Sequence, residues 1–113
     1  MQEDILQKIG LTNNESKIYL ALLNRRNCLV SQLVAETKLN RTHIYDRLEK
    51  LIDKGLVSYI IMSEKKYFNA VSPNKLLQMI EEEEKEILKR KKEFLSILPN
   101  VNYHGLKPRG VYV

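Results

Sequence analysis

The stretch Asn40–Gly55, NRTHIYDRLEKLIDKG, decides the fold. It reads as one helix with a start, an apolar seam, a polar outer face and a stop. Asn40 is a good N-cap, because its side chain can accept from the unpaired backbone N–H groups of the first turn. Ile44, Leu48, Leu51 and Ile52 recur at helical spacing and form one stripe to bury. Gly55 supplies the left-handed residue that ends a helix. The opposite face carries Arg41, Thr42, His43, Asp46, Arg47 and Lys50. Hydrogen-bonding groups near the start of a half-buried helix suit the major groove of DNA, where base edges display donors and acceptors. An ordinary surface helix is also polar on one side, so the neighbouring elements must decide between the two.

Upstream, Glu3 to Ile9 predicts a short amphipathic helix on Ile5, Leu6 and Ile9, ended by Gly10. Thr12-Asn13-Asn14-Glu15 has the pattern of a capping box. The helix it opens is expected from about Asn13 to Arg26, with Ile18, Leu20, Ala21, Leu22 and Leu23 inward and Tyr19 close by. After Asn27 and Cys28, a third helix is expected over 30–38, with Leu33, Val34 and Thr37 inward and Ser31 as a candidate cap. The link Lys38-Leu39-Asn40 is short, as a helix-turn-helix requires. Downstream, 56–62 (LVSYIIM) reads as a strand and 67–71 (YFNAV) as its return, joined by a polar turn at 63–66. Lys65 and Lys66 would then sit at a basic hairpin tip, although lysines there can also serve solubility alone. A helix-turn-helix followed by such a hairpin is a winged helix.

Ser72 and Pro73 open a last helix as N-cap and first helical residue, and it is expected to reach Leu98, where Pro99 stops it. Leu77, Ile80, Glu84, Ile87, Lys91, Phe94 and Leu98 follow the alternating three- and four-residue spacing of a coiled coil, with two charged seam positions. Glu81 with Lys85 and Glu86 with Arg90 have the order that supports an exposed helix. The tail from Asn100 to Val113 places Val101, Tyr103, Val111, Tyr112 and Val113 around Gly105, Pro108 and Gly110. It reads as strand-like, either the stub of a further domain or an edge that pairs with another chain.

The chain has 113 residues, 43% hydrophobic and 29% charged, with a net charge of +5. That permits one domain plus an extended element and tilts it modestly towards a polyanion. No apolar run approaches the length of a membrane span and no secretory signal is present, so no membrane partner is expected. The single cysteine, Cys28, cannot form an internal disulfide, and a cytoplasmic location is expected. His43 and His104 lie far apart and Cys28 has no nearby partner, so no metal site is expected. The glycines stand singly at element ends and no serine has a nucleophile setting. Neither a cofactor nor an enzyme is indicated.

The order of elements resembles the TrmB-like winged-helix regulators. Leu11-Thr12-Asn13-Asn14-Glu15-Ser16-Lys17-Ile18-Tyr19-Leu20-Ala21-Leu22-Leu23 is similar to the opening motif of that family. Asn40 to Leu48 resembles its recognition segment, with Asn40 where the family often has proline. Lys65 to Pro73 is similar to its wing strand and the start of its long helix. The resemblance implies a mainly α fold with a small β-hairpin, a winged helix-turn-helix followed by a long C-terminal dimerisation helix. It implies dimers on operator DNA, while the sugar-binding domain of larger members has no counterpart in these residues. The expected organisation is a DNA-binding domain over 1–71, a dimerisation helix over 72–98 and a tail over 99–113. DNA contacts are expected from Arg41, Thr42, His43, Asp46, Arg47, Lys50, Lys65 and Lys66, with Tyr45 packed and its hydroxyl free for phosphate. Homodimer contacts are expected from Leu77, Ile80, Ile87, Phe94 and Leu98. The partners are then double-stranded DNA and a second copy, with no effector legible. The alternative is a winged-helix module that docks a protein of the transcription machinery.

Overall fold

The computed structural model describes residues 2–105. Its elements are α1 (Gln2–Lys8), α2 (Asn13–Leu23), α3 (Val30–Thr37), α4 (Arg41–Asp53), β1 (Val57–Met62), β2 (Lys65–Ala70) and α5 (Asn74–Ile97). A 3-10 turn, Leu98–Asn100, follows. The chain divides into two units between Ile80 and Glu81.

Local chemistry starts α2 and α4. The Thr12 hydroxyl accepts from the Glu15 N–H at 3.2 Å, and the Thr12 N–H donates to Glu15 Oε1 at 2.8 Å, closing the expected capping box. Asn40 Oδ1 accepts from the His43 N–H at 2.9 Å. At the end of α4, Gly55 has φ +77, its N–H donates to the Ile52 carbonyl and the Leu56 N–H reaches back to Leu51. Those paired bonds are a Schellman stop, and they satisfy carbonyls the helix would leave open. Leu51 and Leu56 are fully buried, the apolar contact that accompanies such a stop.

The core of the first unit gathers Ile18, Tyr19, Leu22, Leu33, Ile44, Leu48, Leu51, Leu56 and Phe68. Burying each such side chain contributes about 1.5–3 kcal/mol. Tyr19 is fully buried and its hydroxyl donates to the Val71 carbonyl at 3.0 Å, tying α2 to the chain leaving the hairpin. The start of α5 joins this core through Leu76, with Met79 packed against it.

β1 and β2 pair antiparallel from Val57–Ala70 to Met62–Lys65. Cys28 bridges the other edge of β2 at Phe68, through N–H···O bonds of 2.9 and 2.8 Å. The Asn27 and Asn69 side chains lock that edge, Asn69 donating at 3.1 Å and accepting from the Asn27 N–H at 2.8 Å.

Several expectations are corrected. Ile5 and Leu23 are exposed, and α2 ends at Leu23, where the Asn24 amide donates to the Leu20 carbonyl. Ser31 does not cap α3; Gln32 Oε1 accepts from the Leu29 N–H instead. The hairpin turn is only Ser63-Glu64, both at positive φ, and Lys65 and Lys66 belong to β2. Pro99 lies inside the 3-10 turn that follows α5. Among the described residues no ion pair forms at Glu81–Lys85 or Glu86–Arg90. Val101 and Tyr103 are exposed and outside any strand, while the expected strand at Val111–Val113 lies outside the described residues.

Within the described residues, no helix is long and apolar enough to cross a membrane. From Glu81 to Ile97 every residue of α5 is exposed in the single chain, including the seam residues Ile87 and Phe94.

Candidate nucleic-acid interface

α4 buries Ile44, Leu48 and Leu51. With Glu49 and Lys50 on its two borders, the direction opposite that stripe, at 100° per residue, belongs to Thr42, Asp46 and Asp53. All three are exposed. His43 and Arg47 flank this face on one side and Arg41 and Tyr45 on the other. The six α4 residues expected to meet DNA therefore do not form one cluster.

Asp46 Oδ2 stands 4.0 Å from both Arg47 Nε and Lys50 Nζ. At that length the carboxylate loosely neutralises two cations and leaves their donors available; exposed pairs of this kind contribute little stability. Arg47 is the least exposed of the group, its side chain keeping 28% of its surface against 53% for Lys50.

Arg41 lies elsewhere. It lines a cleft with Ser31, Tyr45, Glu64, Lys65 and Lys66, floored by Val30 and Phe68. The start of α3, the start of α4 and the hairpin thus converge with three cations from two elements. A second cleft, between the hairpin and the later turns of α4, shares Tyr45, Lys66 and Phe68 and adds Glu49 and Tyr59. Lys66 stands between the two, its Nζ 4.7 Å from the centre of the Tyr59 ring. That contact is worth about 0.5–1 kcal/mol at an exposed site and holds the ammonium on the α4 side of the wing. Tyr59 in turn leans on Phe68, with ring centres 5.9 Å apart. Lys65, paired with Met62 next to the turn, lines the first cleft only.

The expected packing of Tyr45 is corrected here. Tyr45 is 49% exposed and Tyr59 43%, whereas Phe68 is buried. Tyr45 falls beside the α4 stripe, and the wing does not close over it. Ser31, expected only as a cap, lines the cleft, which its place relative to the hairpin reveals; Tyr45, expected with its hydroxyl free for phosphate, lines it too. The turn also brings acidic Glu64 to the tip that was expected to be basic.

One buried ion pair braces α4. Glu15, 1% exposed, accepts from Lys54 Nζ at 2.9 and 3.1 Å as well as from the Thr12 N–H. Burial raises the Glu15 carboxyl, but the Thr12 and Lys54 bonds and the Lys54 charge outweigh it and hold the group below its ordinary value. The start of α2 is thereby fastened to the end of α4. Among the described residues, no group of three or more His, Cys, Asp or Glu side chains is placed to hold a metal ion.

Comparison with known proteins agrees with this architecture. The archaeal chromatin protein TrmBL2, in a structure described as showing a novel mode of DNA binding, superposes with a TM-score of 0.69 at 23% identity, over 94% of this chain and 45% of that one. A protein of the thermoacidophilic archaeon Sulfolobus tokodaii gives 0.59 at 21% identity, over 81% of this chain and 96% of its own. BpsR of Bordetella bronchiseptica, whose DNA binding is regulated by 6-hydroxynicotinic acid, gives 0.54 at 16% identity, over 95% and 75%. At such identities these likenesses establish the winged-helix fold. In sequence, the sugar-sensing transcriptional regulator TrmBL1 of Pyrococcus furiosus is 34% identical over 109 residues, 93% of this chain. The chain spans 31% of that relative's length. The profile described as sugar-specific transcriptional regulator TrmB matches residues 6–74, from α1 to the start of α5. The chain belongs to the TrmB family of transcriptional regulators.

Proposed function

We propose that the protein binds double-stranded DNA sequence-selectively as a homodimeric transcriptional regulator. The observation that carries this is the pairing of an exposed polar face on α4 with an adjacent cleft holding Arg41, Lys65 and Lys66. Thr42 and Asp46, opposite the buried stripe, meet base edges in the major groove, Asp46 as an acceptor for a cytosine amino group. His43, Arg47 and Lys50 flank them as base or phosphate contacts. Arg41, Lys65 and Lys66 take backbone phosphate, which positions the helix without reading sequence. Ser31 and Tyr45 add hydroxyls to the same cleft. The net charge of only +5 suits a protein that needs two copies on one site.

Support for the regulator role comes from family membership and from the DNA binding named for TrmBL2. Support for the homodimer is the apolar face of α5, where Ile87 and Phe94 keep 60% and 56% of their surface in the single chain. The domain division follows: the winged helix over 1–71 reads DNA and α5 joins the copies.

The test is fluorescence anisotropy of the protein on its own promoter and on random duplex DNA across a salt series. Tighter binding to the promoter, weakening steeply with salt, is expected. Absence of binding to both duplexes at low salt would overturn the proposal in favour of docking to a protein.

A further inference from the structure

The apolar face of α5 is interrupted in a patterned way. Ile80, Ile87, Leu88, Phe94, Leu95 and Leu98 lie along one side of the helix, and all are exposed. Glu84 and Lys91, seven residues apart, fall within that face. Glu83 and Arg90, also seven apart, run along one flank of it. None of these four has an ion-pair partner among the described residues. The wider helix repeats the division, with Glu81–Glu84 and Glu86 in its first half and Lys89–Lys92 in its second.

We propose that a second copy of α5 covers this face in the antiparallel sense, about a two-fold axis near Ile87. This rests on the homodimer reading above and adds its geometry. In a parallel, in-register pair each residue meets its own copy. Glu84 would oppose Glu84 and Lys91 would oppose Lys91 inside an apolar seam, leaving buried like charges uncompensated. Turning one helix end for end about Ile87 brings Glu83 and Glu84 of each copy beside the second copy's Arg90 and Lys91. The same operation lays Ile80 near the second copy's Phe94 and keeps Ile87 and Leu88 at the centre. Each charged interruption then gains a counter-charge, and the parallel alternative is selected against by repulsion.

The experiment is cross-linking of exposed seam positions. Ile80→Cys and Phe94→Cys are made as separate variants and treated with a short bis-maleimide, each alone and as a co-expressed, differently tagged mixture. Cys28 is fully buried in the winged unit, so the unsubstituted protein serves as the unreactive control. The antiparallel pair predicts that the mixed species cross-links at least tenfold more than either variant alone, because two copies of position 80 lie about 21 Å apart along the axis. Efficient cross-linking of each variant with itself would overturn the orientation and leave the homodimer standing. A dimer that cross-links in no combination would overturn pairing through α5. Light scattering that returns a monomer would overturn the homodimer reading as well.

Discussion

At the scale of single residues, two side chains have separable consequences. Arg41 shares its cleft with Lys65 and Lys66, away from the outermost line of α4. Arg41→Ala is therefore expected to weaken promoter and random duplex alike, by about 1–2 kcal/mol, and to reduce the salt slope by about one. Loss confined to one base position of the promoter would make Arg41 a reader of sequence. Glu15 acts on stability instead. Replacing it with Gln removes the charge that holds Lys54 and is expected to cost about 2 kcal/mol at pH 7, read by urea unfolding. The folded carboxyl lies below its ordinary value, so its contribution is complete above the unfolded carboxyl's pKa of about 4.3. As pH falls through the lower folded value, that contribution disappears. The gap between wild type and Glu15→Gln should hold from pH 7 to about 5.5 and narrow below about 4.3. A gap independent of pH would place the loss in packing.

At the scale of elements, the wing turn is the weak joint. Ser63 and Glu64 adopt φ of 48 and 65, a conformation that costs non-glycine residues about 1 kcal/mol each. Ser63→Asn with Glu64→Gly provides the residues a two-residue hairpin of this hand prefers, and should stabilise the domain by about 1 kcal/mol in thermal unfolding. It also removes a carboxylate from the wing cleft, so DNA affinity should rise with no change in sequence preference. The same turn explains why legibility was uneven. Thr12, Asn40 and Gly55 carry their instruction within one or two residues, and the starts and stops they predict are observed. Ser63-Glu64 adopts its turn without glycine or asparagine, so the wing lysines were placed at a tip when they belong to β2. The Cys28–Phe68 bridge joins residues forty positions apart and had no local signal. Neither had Glu15–Lys54, thirty-nine apart. For the proposed DNA site, the exposed polar side of α4 was legible from periodicity. The separation of its residues into an outer line and a wing cleft depends on where the hairpin lands, which no spacing encodes.

At the scale of the whole molecule, affinity is a matter of how many copies act together. One winged unit offers a short polar face and three cleft cations, a small set for holding DNA at physiological salt. Joining two units makes the second contact intramolecular, with an effective concentration set by the connection. The antiparallel α5 pair suits that role, since each copy's apolar face is covered by the other's. Ile87→Asp with Phe94→Asp places charge on an apolar face without touching the winged-helix core, because both side chains are exposed in the single chain. The variant should run as a monomer in light scattering, with the thermal unfolding of its winged unit essentially unchanged. Its affinity for the promoter should fall at least a hundredfold, while its weak binding to a single half-site stays within about threefold of wild type. A dimer that survives both substitutions would move the joining surface off α5. A monomer that kept full promoter affinity would show that one copy is the binding unit.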